Sequence, residues 1–222
     1  DAGLRYEHVN TKYRSHGVKE KVPSRTYDNI CPNVSAEWNN DDWDFSLGYA
    51  KKIMRPRYYA LRNNVQYDGR FMYEAGNPYL RPNITHNVEF NAIYKWINFS
   101  LGYNYDKDMM APMDKLYNGQ EIALTRWENL KKYQTIYASL DVSPKFGFWQ
   151  PTFELQFAKP FVSYKDYGVN KSLQRAGIYF EADNKFVITK KNFFTLDHTY
   201  DHASDGMCSH YKPYSTLDLG YT

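Results

Sequence analysis

Along residues 96–106 the chain reads WINFSLGYNYD and alternates without a break. Ile97, Phe99, Leu101, Tyr103 and Tyr105 fall on one parity, and Asn98, Ser100, Gly102, Asn104 and Asp106 on the other. Successive side chains of a β-strand point to opposite faces, so this segment predicts a strand with one apolar and one polar side. The pattern recurs through Leu4/Tyr6/His8, Val34/Ala36/Trp38, Trp43/Phe45/Leu47/Tyr49 and Val88/Phe90/Ala92/Tyr94. It returns in Ile136/Ala138/Leu140/Val142, Phe153/Leu155/Phe157, Ile178/Phe180/Ala182, Phe194/Leu196/Tyr200 and Leu217/Leu219/Tyr221. The strand at Ile178 is expected to continue through Phe186 and Ile188. Altogether about ten strands follow one another almost end to end.

The connections alternate in length. Short polar turns are expected at 39–42, 95–97, 143–146 and 190–192, and longer irregular segments at 11–28, 54–84, 109–118, 162–173 and 203–213. That rhythm means antiparallel neighbours with the long loops gathered at one end, as in outer-membrane barrels. Pro32 and Pro151 are placed near strand starts, where a missing N–H is tolerated.

A soluble β-sandwich also alternates, but three features favour a membrane barrel. Trp38, Trp43, Tyr49, Tyr94, Trp96, Tyr103 and Tyr105 gather at strand ends, with aliphatic residues and Phe between them, like an apolar band edged by interfacial aromatics. The apolar parity carries almost no charge. The polar parity is rich in carboxylates (Glu7, Asp44, Glu89, Asp106, Glu154, Glu181, Asp197, Asp218), which suit a watery or plugged lumen.

Composition narrows the choice further. The 222 residues suffice for one domain, and 18% are aromatic, including 22 Tyr. Mean hydropathy is -0.74, and no apolar run approaches the roughly 20 residues of a spanning helix. The net charge of +3 is small and its basic residues are scattered, so no nucleic-acid partner is expected. Cys31 and Cys208 are too few for a disulfide framework. The chain begins with strand-like AGLRYEHVN and ends with strand-like STLDLGYT, without a visible signal peptide. The expectation is a piece of a larger protein.

More specific motifs lie at residues 45–90, where FSLGYAKKIMRPRYYAL (45–61) is followed by EAGNPYLRPNITHNVEF (74–90). An aromatic-x-x-x-I-x-RP strand end, a long loop, and GNP-x-L-x-P before the next strand resemble the outer-membrane β-barrel family of TonB-dependent receptors. The elements here are Tyr49, Ile53, Arg55, Pro56, Gly76, Asn77, Pro78, Leu80 and Pro82. GLRYE (3–7) and NICPNVSAEW (29–38) are similar to the preceding strands of that family. The resemblance runs along most of the chain and is sharp across 45–90. Leu61 is followed by Arg62-Asn63-Asn64, where the family usually has Leu-Asn-Pro. Bottom-up, the motif reads as a structural corner: Gly76 permits a positive φ, and Pro78 and Pro82 hold the chain extended before the next strand.

The resemblance implies an active-transport receptor of the cell outer membrane, a barrel of about 22 strands closed by an N-terminal plug. Its implied partners are outer-membrane lipid, the plug domain and remaining barrel strands of the same protein, and the TonB complex reached through the plug. Residues 1–222 read as a single β-barrel segment from the second half of such a barrel, ending about two strands before its end. Plug and TonB-contact segment are absent from it.

Residues 197–210 (DHTYDHASDGMCSH) offer His198, His202, Cys208 and His210 with Asp201 and Asp205, all metal-capable. If residues 197–202 are extended, His198 and His202 lie about 13 Å apart, too far to share one ion, so the stretch is read as a polar outer loop with no metal site. Carboxylate pairs across strands, Asp44 with Glu89 or Glu154 with Glu181, imitate a glycosidase pair but are expected by chance where every strand carries one. No nucleophile elbow, phosphate loop or zinc motif is present, so no catalytic residue and no cofactor are assigned, and no enzyme is expected.

The reading is therefore all-β: an antiparallel up-and-down meander of about ten strands, part of a larger transmembrane β-barrel serving nutrient uptake. Two alternatives stand beside it, a soluble β-sandwich binding glycans and a small self-contained outer-membrane pore.

Overall fold

The computed structural model describes residues 1–15 and 17–222, with the backbone alone for 15 and 20–23. Ten long strands make the wall: β1 (Ala2–Ser15), β2 (Val18–Asn39), β3 (Trp43–Met54), β4 (Asn83–Tyr94), β5 (Ile97–Leu116), β6 (Ala123–Val142), β7 (Trp149–Asp166), β8 (Gly177–Val187), β9 (Phe193–Asp201) and β10 (Tyr214–Tyr221). Each pairs antiparallel with the next in chain order, giving one uninterrupted meander. Among the described residues β1 does not pair with β10. The ten strands form an open sheet and not a closed small pore.

Register explains why the alternation is so strict. Ala36 lies opposite Leu47, Leu47 opposite Phe90, Phe90 opposite Leu101, and Leu101 opposite Ala138. Ala138 then faces Phe157, and Phe157 faces Ile178. One apolar row thus crosses seven strands without slipping, because a one-residue slip would turn every side chain to the other face. This face is bare: Leu47, Leu101 and Leu155 are each about half exposed, and Leu217 and Leu219 more so. Among the described residues no second protein layer covers it, which removes the sandwich alternative. A bare apolar band of this size needs hydrocarbon as its solvent.

Aromatic rings border the band at the short-turn end. Trp43 stacks on Phe45 at 5.3 Å and meets Tyr94 at 4.5 Å, while Trp149 stacks on Phe186. Asn184 sits on the apolar parity there, and its amide is matched by the Trp149 indole N–H (3.0 Å) and the Leu196 carbonyl. At the other border Tyr49 and His86 share a 2.8 Å hydrogen bond, and Lys132 lies over Tyr105. From Tyr94 back to His86 β4 spends nine residues, about what a tilted strand needs to cross.

Several segments expected to be irregular are ordered strand. β2 has 22 residues and β5 and β6 have 20 each, twice the length needed to cross. The predicted loop 11–28 is a hairpin continuing β1 and β2 to the pair Ser15–Val18, with one register break between Thr11 and Tyr13. His16 lies outside the described residues. Most of 109–118 belongs to β5, and 162–173 holds the end of β7 and a returning strand, Val169–Leu173. Apolar and polar residues no longer sort cleanly there, because above the membrane part of the surface is covered by other protein segments and the rest meets water. β8 ends at Val187, one residue short of Ile188. Pro32 lies inside β2, opposite Leu4. It is tolerated because the β2–β3 ladder begins only at Asn33, and the Ser35 N–H, three residues on, points the other way to Asp1.

The buried core lies in these emergent hairpins. Ala111, Met113, Leu130, Val162 and Leu173 pack together, with Met109, Tyr133, Tyr164, Met207 and Cys208 against them.

Candidate functional site

The inner face of the wall is a hydrogen-bonded polar surface. Glu89 accepts from the Tyr137 hydroxyl (2.6 Å) and from Asn91 (3.2 Å), and Asn87 donates to Asn104 and to Tyr137. Ser100 and Ser139 meet at 2.6 Å across β5 and β6. Gly102, directly opposite Tyr137, makes room for this network, since a Cβ there would fall 2.1 Å from the ring. The Tyr137 ring therefore lies flat across the strand and reaches Glu89 on β4.

Acid collects toward β6–β10. Asp141 faces Glu154 and Glu154 faces Glu181, while Asp183 faces Asp197 and Asp197 faces Asp218. Among the described residues none of these six forms an ion pair. Glu154 takes its hydrogen bond from Gln156, and Glu181 from Tyr179. Directly opposed like charges are unfavourable unless water or an ionic partner screens them, so this wall must face an aqueous interior. Of the expected pairs, Glu154 and Glu181 are directly opposed, but Asp44 lies opposite Ile93 and Glu89 opposite Gly48, so Asp44 and Glu89 do not pair.

The long connection between β3 and β4 holds the sequence motif. Arg55 and Arg5 both pair with Glu7 on β1, which ties the end of β3 to a strand two places away. Pro56 is half-buried, a short 3-10 turn (Tyr58–Leu61) follows, and then a hairpin of Val65–Gly69 with Met72–Ala75. The second arm of that hairpin adds parallel to the free edge of β6, Met72 beside Ala123 through Ala75 beside Arg126. The hairpin and its parallel pairing were both missed from sequence, and Asp68-Gly69 between apolar runs was a signal for the hairpin alone.

Gly76, Asn77, Pro78, Leu80 and Pro82 are all buried. Gly76 does not take a positive φ, contrary to expectation. Its requirement is closeness: a Cβ would lie 2.5 Å from the Arg62 carbonyl oxygen. The Asn77 amide donates to the Trp127 carbonyl (2.9 Å), its side-chain oxygen accepts from the Tyr79 N–H (3.0 Å), and its backbone N–H donates to Ala60. Next to it Asn129 receives the Arg81 N–H and donates back to the Arg81 carbonyl, while Arg81 pairs with Asp108 at 2.6 Å. Asn77 of the motif and the neighbouring Arg81 thus clip the loop onto β6.

The stretch 197–210 is not a single loop. Residues 197–201 belong to β9, with His198 bonded to Ser215, and 204–211 form a small hairpin (Ser204–Asp205 with His210–Tyr211). Asp205 pairs with His210 at 2.6 Å and accepts from the backbone N–H groups of Gln174 and Arg175. Among the described residues no group of three or more His, Cys, Asp or Glu converges on a metal position. Cys31 and Cys208 are both free.

Comparison with known proteins agrees with this geometry. A family model described as "Outer membrane protein beta-barrel family" matches residues 1–222. Among solved structures, the siderophore receptor PirA from Pseudomonas aeruginosa is similar at a TM-score of 0.64 and 15% identity, over 98% of this chain and 41% of that one. The FrpB iron transporter from Neisseria meningitidis is similar at 0.66 and 16% identity, over 98% and 35%. The ferric enterobactin receptor PfeA from Pseudomonas aeruginosa is similar at 0.55 and 16% identity, over 87% and 33%. At these identities the likeness is one of fold. The chain spans well under half the length of each. No curated protein sequence matches.

Proposed function

The chain belongs to the outer membrane protein β-barrel family, and from that premise we propose that it is barrel wall of a TonB-dependent receptor importing a nutrient too large for a porin. Its place in the cell is the outer membrane. The observation that carries the reading is the two-solvent wall: an unbroken apolar row outside, and a carboxylate-rich, hydrogen-bonded face within. Residues 1–222 serve as a segment of a larger barrel whose other strands pair with β1 and β10. A plug from the same protein fills the lumen against the inner face and couples to TonB. The motif from Arg55 to Pro82 is structural, holding the loop over the wall. Because the structural neighbours are named as siderophore and iron receptors, an iron complex is the first cargo to test.

The test is uptake of radio-iron, delivered as a panel of ferric siderophores, in cells with and without the gene and with and without TonB. Uptake that needs both is expected. Uptake that needs the gene but survives loss of TonB would reduce the protein to a passive pore.

A further inference from the structure

The hairpin 204–211 ends in a turn closed by the Gly206 N–H donating to the Ser209 carbonyl, with Met207 and Cys208 at its two corners. Both corner side chains point into the emergent core instead of outward. There the Cys208 Sγ meets the Met113 Sδ of β5 at 3.6 Å. Met113, Met207 and Cys208 together line one cavity of about 530 Å³ between the hairpin and the tops of β5 and β7. Met109 packs beside them.

We propose that Cys208, Met113 and Met207 form a binding site for a soft monovalent cation, Cu(I) in the cell. Nothing in the transport reading requires this site.

Three observations converge on it. First, the spacing fits: two sulfur ligands each about 2.3 Å from one ion and 3.6 Å apart subtend about 100°, close to tetrahedral. The ion takes the place of the S–H proton that Cys208 now donates to the Met113 Sδ. Second, the donors are a thiol and thioethers, the set that selects Cu(I) over harder divalent ions. Third, the hairpin is held in place by bonds that packing alone does not need. At its base Asp205 is fixed by His210 and by the N–H groups of Gln174 and Arg175. At its tip the Tyr164 hydroxyl donates to the Cys208 carbonyl (3.3 Å). Gly206 lets the turn close against the Tyr211 ring, where a Cβ would lie 2.5 Å away. Outer groups that fix ligands in this way are what a metal site requires.

Binding is a proton exchange. The Cys208 S–H bond breaks, its proton goes to water, a thiolate–Cu(I) bond forms, and the thioethers add their lone pairs without losing anything. The ion and its three sulfur ligands then carry no net charge. The competing account is that Cys208 is merely a small apolar side chain packed on methionine.

The experiment is titration of the protein, purified from outer membranes in detergent, with Cu(I) under anaerobic reductant against a chromophoric chelator. Ag(I) serves as a redox-inert check. One equivalent is expected for the parent and for Cys31→Ser. Cys208→Ser should abolish binding, and Met113→Leu, which conserves volume, should weaken it about tenfold or more. Sulfur-only coordination is expected by X-ray absorption. Intact hairpin packing in Met113→Leu is checked by protection of residues 204–211 from protease. No binding by the parent, equal affinity in Met113→Leu, or Zn(II) binding as tight as Cu(I) would each overturn the proposal. The last result would place the ion on the Asp114 and Asp166 carboxylates that share the cavity.

Discussion

The wall within the membrane and the hairpins above it are made of the same strands but stabilised in opposite ways. Between the Trp43–Tyr94 girdle and the Tyr49–His86 border, apolar side chains point outward to lipid and polar ones pair inside, as Glu89, Tyr137 and Asn87 do. Above that border β5, β6 and β7 leave the bilayer, and the order inverts. Ala111, Met113 and Leu130 turn inward to a protein core, and Asn77 is buried with partners supplied by backbone and by the Glu128 carboxylate. The same residue types change roles because the solvent outside changes from hydrocarbon to water. A β-strand has no fixed inside. Its surroundings decide which face is covered.

The largest test of this difference is to move a charge across the wall. Leu101→Arg places a cation on the lipid face in the middle of the band, and should cost about 2–4 kcal/mol of stability in lipid vesicles. Ser100→Arg, one residue away, points into the lumen. It should cost no more than the Ser100–Ser139 hydrogen bond, about 1 kcal/mol. Urea unfolding of both variants in phospholipid vesicles reads the pair. Equal penalties would mean that the two faces see the same solvent.

That contrast also explains how far the sequence could be read. The wall was legible because lipid on one side and water on the other force a period of two, so Ile97, Phe99 and Leu101 announce their own face. The emergent strands were not legible. Around DMMAPMDKL (108–116) the burial alternation survives, but apolar and polar residues no longer follow it cleanly, because the covering layer is a loop returning from far along the chain. The pairing of Met72–Ala75 with β6 joins residues about fifty positions apart, and no local pattern encodes it. At the motif, the sequence suggested a positive φ for Gly76, and the structure gives a close approach instead. A glycine looks the same whether it serves a left-handed turn or a close approach, and only the neighbour, here Arg62, tells them apart.

Glycine therefore supplies the second test. Gly76→Ala drives a Cβ into the Arg62 backbone and should cost about 1–3 kcal/mol, confined to the loop. Limited proteolysis between β3 and β4 should accelerate while the unfolding midpoint of the wall hardly moves. Gly48→Ala is the matched control within the wall, where an added Cβ meets nothing within 4 Å. If both variants behaved alike, the clip onto β6 would not be holding the loop.

The smallest effect is expected where the emergent region depends on a single carboxylate. Burial raises the Asp205 pKa, but the Arg175 N–H, the His210 ring and the Gln174 N–H outweigh it and hold the group below its ordinary value of 3.8. Its folded pKa lies under its unfolded one. The stabilisation is therefore fully present above the unfolded value and fades as pH falls through the folded value. Hydrogen exchange at the amides of Gln174 and Arg175, corrected for intrinsic rates, should show protection falling only at acid pH. Asp205→Asn should remove that acid step, because an amide does not titrate. The wall amides around Leu101 should keep their protection across the same range, since the Glu89 carboxylate beside them accepts from the Tyr137 and Asn91 side chains and not from backbone N–H groups. An acid step of equal size in both places would show that the hairpins and the wall open together, and that the hairpins have no separate stability to lose.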